Sequence, residues 1–390
     1  MIYLDNNATT GIHPRVFAAM EPYLRTEYGN PSSLQHEMGR RARRALVDAR
    51  ERVAALLHCR PEEILFTSGG SEANSHAIFG TPSRVDVRRI VTSPVEHDSI
   101  RRACIYAQIQ GTLVETVPVD TDGIIRLDAL AAALEVPASL VTIMWVNNET
   151  GVIQPIERVV ELAHSRGALV HADGVQALGK LEVDLSSLSL DLMTLSAHKI
   201  HGPKGTGALF VRDGVDLEPR IFGGPQERGL RSGTENVAGI VGFGEACTLL
   251  LEQEPSTRDR VQTLRDRLEK GLLNRCPGAV VFGNSNHRVG NTLLVGWSGL
   301  EEDHILKELD RAGICASSGS ACTSQDPEPS HVLMAMGVPP DLARGAVRFS
   351  LSGKTTEEEI STALETMEKI IGNLQTRTAA FAWVEDLDNV

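Results

Sequence analysis

Short apolar runs rich in β-branched residues recur through the first two thirds of the chain, at 64–67 (ILFT), 90–92 (IVT), 113–119, 140–146 and 168–172. Between them lie stretches with helical spacing, such as 156–166. Strands that are apolar throughout are covered on both faces, so this alternation predicts an α/β fold: a largely parallel sheet with helices on either side. Two further runs, 191–196 and 207–211, flank the glycine-rich HKIHGPKGTG, which reads as an irregular connection between strands. In such a sheet, functional residues gather at the strand ends.

After about residue 255 the texture changes. A long helix (259–275), short strands (280–282 and 292–295), a helix from Glu302 and a strand at 346–351 predict a smaller α+β domain. Its last helix starts with Thr356 and Glu359, a capping pair, and places Ile360, Leu364, Met367, Ile371 and Leu374 on one face. The expected division is a large domain over 14–255 and a small one built from 1–13 and 256–390.

The 390 residues suffice for two or three domains with a sizeable core. Lys and Arg number 38 against 51 Asp and Glu, a net charge of −13. That balance argues against general binding to nucleic acid or anionic membrane, so an anionic ligand must be held locally. The opening MIYLDNNATTG has neither a basic nor an apolar leader segment, and no uncharged apolar run approaches a membrane span. A cytoplasmic location is the expectation. Cysteines 59, 104, 247, 276, 315 and 322 are scattered without any C-x-x-C, which speaks against a disulfide framework or a structural zinc site. Five of them read as core filler.

Three motifs carry chemistry. Thr67-Ser-Gly-Gly-Ser-Glu72 runs from a strand directly into a helix, a geometry that aims backbone N–H groups at one point and binds phosphate, or that makes a tight turn. His171-Ala-Asp173 ends an apolar strand in an acid, which needs a partner when buried: a cationic ring nitrogen, a metal or a structural hydrogen bond. Ser196-Ala-His198-Lys199 places a lysine at a strand end, where desolvation lowers an amine's pKa and frees it for covalent catalysis. An amine, an acid and an anion cradle at one sheet edge suit pyridoxal 5′-phosphate, whose aldehyde, ring nitrogen and phosphate need those three groups.

From Tyr3-Leu-Asp-Asn-Asn-Ala-Thr-Thr10 to Arg348-Phe-Ser-Leu-Ser352 the chain resembles the cysteine desulfurases of the NifS and IscS type. The likeness includes Gly29-Asn-Pro-Ser-Ser33, Glu96-His97, Val146-Asn-Asn-Glu-Thr-Gly151, Arg231-Ser-Gly-Thr-Glu-Asn236 and the SSGSACTS of 317–324. It implies the type I fold of pyridoxal-phosphate enzymes, with a mostly parallel seven-stranded sheet. By resemblance, Lys199 would carry the cofactor and move the Cα proton, Asp173 would pair with the ring nitrogen, and His97 would stack on the ring. His97 taken alone also reads as the start of a helix. Gln176 and Asn148 would contact the phenolic oxygen, with Asn148 also near the substrate. Gly70, Ser71, Ser196 and His198 would hold the phosphate, with Thr234 reaching it from a second subunit of a homodimer. Arg348 would clamp the substrate carboxylate.

Cys322 sits among serines, glycine and alanine that offer no apolar burial. The resemblance implies that it attacks the sulfur of L-cysteine, releases L-alanine and keeps a persulfide, which a mobile loop delivers to an acceptor protein such as an iron-sulfur scaffold. Ser71, Gly174 and Ala197 replace threonine, alanine and glycine common in the family, changes that read as sterically mild. Gln325-Asp-Pro327 after the cysteine would restrict the loop. Competing readings are a selenocysteine lyase, a sulfur donor for transfer-RNA thiolation, a metal-dependent hydrolase built on His171, Asp173, His198 and His201, and a non-catalytic scaffold. Arg40, Arg41, Arg43 and Arg44 read as a solvated helix face. The tail Phe381-Ala-Trp-Val384 reads as a frayed or self-packed terminus or a docking segment.

Overall fold

The computed structural model describes every residue except 84–87, 284, 319–328 and 389–390. The chain opens on β1 (Ile2–Tyr3), and the large sheet then uses β2 (Ile64–Thr67), β3 (Arg89–Thr92), β4 (Leu113–Thr116), β5 (Leu140–Met144), β6 (Leu169–Asp173), β7 (Leu192–Ser196) and β8 (Gly207–Val211). Their order is β2-β8-β7-β6-β5-β3-β4. Only β8 runs against its neighbours, pairing antiparallel with both β7 and β2. The other strands all point one way and bring their carboxyl ends to a single edge.

β5, β6 and β7 are buried at every position, as strands covered on both faces must be. The helix Ile156–His164 that connects β5 to β6 buries Ile156, Val159, Val160 and Ala163, the positions that share one helical face. Each such aliphatic side chain taken from water contributes roughly 1.5–3 kcal/mol. β4 stops at Thr116 rather than continuing to 119, because Pro118 has no N–H to give to the sheet; Val119 makes only an isolated bridge with Ile125.

The second half adds β9 (Val280–Phe282), β10 (Thr292–Gly296), β11 (Ile314–Cys315), β12 (Ser317–Ser318) and β13 (Val347–Ser350). A four-stranded antiparallel sheet runs β12-β13-β10-β9, and β11 pairs in parallel with β1. The helix Pro255–Arg275 sets Leu264, Leu268 and Leu272 into one core with Ile360, Leu364, Met367 and Ile371 of the helix Glu357–Asp388. Leu4 belongs to the same core. The capping pair forms as expected: Glu359 N–H donates to Thr356 Oγ1 (3.2 Å) and Thr356 N–H to Glu359 Oε2 (3.0 Å). The backbone of 381–384 continues that helix.

Arg40, Arg41 and Arg44 lie exposed on the helix Glu37–Leu57 and pair with Glu37 or Glu27, while Arg43 lies 4.0 Å from Glu235. This is the solvated face that the sequence predicts, and such pairs are worth little stability. Among the described residues no helix is long and apolar enough to cross a membrane. Cys104, Cys247 and Cys276 are buried, with Cys59 and Cys315 half-buried. Burial pushes the thiols of Cys59 and Cys104 up to about 12 and that of Cys276 to about 11, so they remain protonated and inert. Cys322 lies outside the described residues.

Candidate active site

A cavity of about 350 Å3 opens at the carboxyl edge of the large sheet, with Arg348 of β13 forming part of its wall. Ten of the residues nominated from the sequence meet there. Gly70 and Ser71 arrive from the turn after β2, His97 from the segment after β3, Asn148 from beyond β5, Asp173 and Gln176 from the end of β6, Ser196, His198 and Lys199 from the end of β7, and Arg348 from the smaller sheet.

Lys199 closes a single 3-10 turn, Ala197–Lys199, directly after β7. Two backbone bonds tie this turn: Ala197 N–H donates to Thr206 O at 3.1 Å and Gly202 N–H to Ala197 O at 2.9 Å. The Lys199 amine donates to the carbonyls of Asn7 (2.6 Å) and Ala8 (2.7 Å), so the N-terminal segment passes directly over it.

Asp173 is buried at the last position of β6. Its Oδ2 accepts from Asn74 Nδ2 at 2.8 Å and its Oδ1 from Val175 N–H at 3.0 Å. These bonds hold the carboxylate in place against the cavity it lines.

The helix Gly70–Gly80 begins at the cavity with Gly69 at φ 153°, a conformation that glycine adopts without strain. A Cβ on Gly70 would stand 3.0 Å from Val175 Cγ2, which explains glycine at that position as well. The first-turn N–H groups of a helix have no partner within it, which suits this helix start to an anion. His198 touches Thr9 Oγ1 through Nδ1 at 3.0 Å; burial first, then the charges of Lys199 and Lys204, push its ring down to about 4, leaving a neutral imidazole at neutral pH.

His97 lines the cavity and also caps the helix Asp98–Ile109, its Nδ1 accepting from Ser99 N–H at 3.1 Å. The helix-start reading of this residue therefore holds, and the residue also faces the cavity. Arg348 is 1% exposed. Its Nη1 donates to Asn148 O (3.0 Å) and its Nη2 to Asp5 Oδ1 (2.8 Å), while Nε is buried without a hydrogen-bond partner.

Thr234 does not join the cavity; it is exposed beside Ser68 and Gly205 in a separate depression. His171 is wedged between Thr142 Oγ1 (2.8 Å) and Thr194 Oγ1 (3.0 Å), and burial pushes it down to about 4. His201 meets the Gly11 carbonyl. Among the described residues no three His, Cys, Asp or Glu side chains gather as a metal site.

Sequence reasoning gave no role to Asn7, Asn74 or Lys180. Asn7 is a hub: its carbonyl accepts from Lys199 and Gln176, its side-chain oxygen from Lys180 and Asn291, and its amide group donates to Asn148 O and Thr292 Oγ1. The only signal for it was its place in the YLDNNATT motif. Asn74 lies four residues after Gly70, hence on the same helix face, a polar residue among apolar neighbours.

The residues fit pyridoxal 5′-phosphate. A buried carboxylate stands at the sheet edge, an amine stands beside it, a helix start without a Cβ makes room for an anion, and a buried guanidinium keeps one donor unpartnered. An Aminotransferase class-V profile matches residues 2–362. The chain belongs to the class-V aminotransferase family. It is a pyridoxal-phosphate-dependent enzyme of fold type I, as the sequence predicts. It is 49% identical over 380 residues to the cysteine desulfurase of Cereibacter sphaeroides, with 96% of each chain covered. It is 46% identical to the cysteine desulfurase of Nostoc sp., covering 96% of this chain and 94% of the other. Among solved structures, a NifS-like protein superposes with a TM-score of 0.89 at 38% identity, covering 95% of this chain and 99% of that one. SspA in complex with cysteine superposes at 0.81 with 31% identity, covering 91% and 100%.

Proposed function

We infer that the protein is a cysteine desulfurase that converts L-cysteine to L-alanine and holds the released sulfur as a persulfide on Cys322. The observation that carries this reading is the convergence of Lys199, Asp173, the Gly70 helix start and Arg348 on one cavity, with both flanks of the Cys322 segment abutting it. On one flank, Ser317 of β12 is registered against Arg348. On the other, His331 lines the cavity and Ser330 donates to Glu149. Cys322 follows Ser318 by four residues, so the chain tethers it within ~14 Å of that strand.

When bound, pyridoxal 5′-phosphate supplies an electron sink that loosens the bonds at a substrate's α carbon. Lys199 holds the cofactor through its amine and moves the proton at Cα. Asp173 would pair with the ring nitrogen and keep it protonated, and Asn74 fixes the carboxylate's orientation. Gly70, Ser71, Ser196 and the neutral His198 hold the phosphate. Gln176 and Asn148 would meet the phenolic oxygen, and His97 would cover the ring. Arg348 takes the substrate carboxylate, which satisfies its remaining donor. The Cys322 thiolate forms a bond to the sulfur of the bound cysteine as that sulfur's bond to Cβ breaks. The bonding pair stays with the three-carbon product, which takes up one proton at Cβ, balancing the one the Cys322 thiol gave up, and leaves as alanine.

The excess of acidic residues favours a protein rather than a nucleic acid as the sulfur acceptor, and an iron-sulfur scaffold is the acceptor we propose. Thr234, exposed away from its own chain's cavity, supports a homodimer in which it serves the partner's phosphate site. A cytoplasmic enzyme agrees with a catalytic thiol that must stay reduced.

The test is incubation of the loaded enzyme with L-cysteine, followed by alanine quantification and mass spectrometry of the peptide containing Cys322. Equimolar alanine and persulfide on that peptide are expected. Cys322→Ser should lose alanine formation; turnover at the parent rate would remove Cys322 from the mechanism.

A further inference from the structure

Lys180 lies four residues beyond Gln176 in the turns that follow β6, and its amine donates to Gln176 Oε1 and to Asn7 Oδ1, the latter at 2.7 Å. No carboxylate pairs with it among the described residues. The charged groups that bear on it are Lys199 and Arg348, both cationic. A half-buried lysine set between two amide oxygens and facing two cations gains little stability from its charge, so its placement calls for another explanation.

Geometry supplies one. The two ends of a glutamine amide have nearly the same shape, so only hydrogen bonding decides which end faces which way. With Oε1 taken by Lys180, the Gln176 NH2 is turned to the Asn7 carbonyl (2.9 Å) and to the cavity that Gln176 lines. The same Asn7 carbonyl accepts from the Lys199 amine at 2.6 Å. Lys180, Gln176, Asn7 and Lys199 thus form one connected network. Burial first, and then Lys199 and Arg348, hold the Lys180 ammonium well below its usual range. An uncharged amine has two N–H donors, and the structure gives it two acceptors.

We propose that Lys180 is a positioning residue that locks the Gln176 amide with its N–H toward the cofactor's phenolic oxygen and anchors Asn7 against Lys199. This rests on the role given to Gln176 in the desulfurase reading. A donor aimed at that oxygen stabilises its anionic form, and so lowers the pH at which the proton at the Lys199 nitrogen is lost.

The experiment is a pH titration of the visible absorption band of the loaded, substrate-free enzyme, with cofactor retention on dialysis as a second readout. In Lys180→Met the midpoint should rise by about one pH unit, the worth of one hydrogen bond to a charged group. Gln176→Leu should raise it similarly, and adding Lys180→Met to Gln176→Leu should move it no further. Should Lys180→Met fail to fold, Lys180→Gln, whose shorter side chain withdraws from Oε1, reads the same midpoint. An unchanged midpoint, or an equal shift in the Gln176→Leu background, overturns the proposal. Absence of a borohydride-trapped adduct at Lys199 in the parent overturns the functional reading instead, so the two failures are distinguishable.

Discussion

Asn74 donates to Asp173 Oδ2 across 2.8 Å, joining the helix Gly70–Gly80 to the acid at the end of β6. The same amide group reaches Ser99 Oγ at 2.8 Å, so one side chain links the segments that follow β2, β3 and β6. Asn74→Ala removes one of the two hydrogen bonds that orient the carboxylate. Such a bond to a charged group is worth about 1.5–3 kcal/mol, and cofactor affinity should weaken by about tenfold or more. Fluorescence titration of the apoprotein with pyridoxal phosphate measures it; an unchanged affinity would show that Asp173 needs no second anchor.

Arg348→Lys keeps the charge but loses the planar fork that reaches Asp5, the Asn148 carbonyl and a carboxylate together. The kcat/KM for L-cysteine should fall by roughly one to two orders of magnitude, mostly through KM. A fall confined to kcat would place Arg348 outside substrate capture.

Glu96 is a buried carboxyl beside the site. Its Oε1 accepts from Ser93 Oγ (2.6 Å) and Met144 N–H (3.0 Å), and its Oε2 is buried without a hydrogen-bond partner. Burial pushes it up to about 8 from the usual 4.5, so the folded protein keeps this proton where the unfolded chain has lost it. The stability it confers is complete below pH 4.5 and declines as pH rises to about 8, by about 1.4 kcal/mol per unit at most. Glu96→Gln mimics the protonated acid and should flatten that decline. The difference in Tm, variant minus parent, should therefore grow between pH 5 and pH 9; a constant difference would refute a proton on Glu96.

Gly174 stands where alanine is common in the family, and in this chain the space of the missing Cβ is occupied. A Cβ there would lie 2.1 Å from Met193 Cε, 2.9 Å from its Cγ and 3.1 Å from the Thr194 carbonyl. Met193 has filled the space that the glycine leaves. Gly174→Ala should destabilise the protein by about 1–3 kcal/mol in urea unfolding, and adding Met193→Val should recover part of the loss. If the double variant were no more stable than the sum of the two single changes, overpacking would not be the cause.

Most of the large sheet was legible because its strands are apolar at nearly every position and long enough to show it. Asp173 and Lys199 were legible because each breaks that pattern at a strand end. β1, β11 and β12 were not, since two residues carry no period. Asn7 escaped because its partners lie at Gln176, Lys180, Lys199, Asn291 and Thr292, far along the chain, and a short asparagine has no local signature. Lys180 looked like any solvated lysine, since what distinguishes it is which neighbours it lacks. What fills the space at Gly174 was not legible because it is Met193, a residue of the adjacent strand.

The N-terminal strand and the residues after it impose an order on biosynthesis. Asn7 N–H donates to Ser350 Oγ and Asp5 pairs with Arg348, contacts 343 residues apart in the chain. Residues 5 and 7 thus find these partners only once residues 348 and 350 have been made, and the chamber beside Lys199 cannot be completed earlier. A nascent chain that stops short of Arg348 therefore lacks one wall of the cavity.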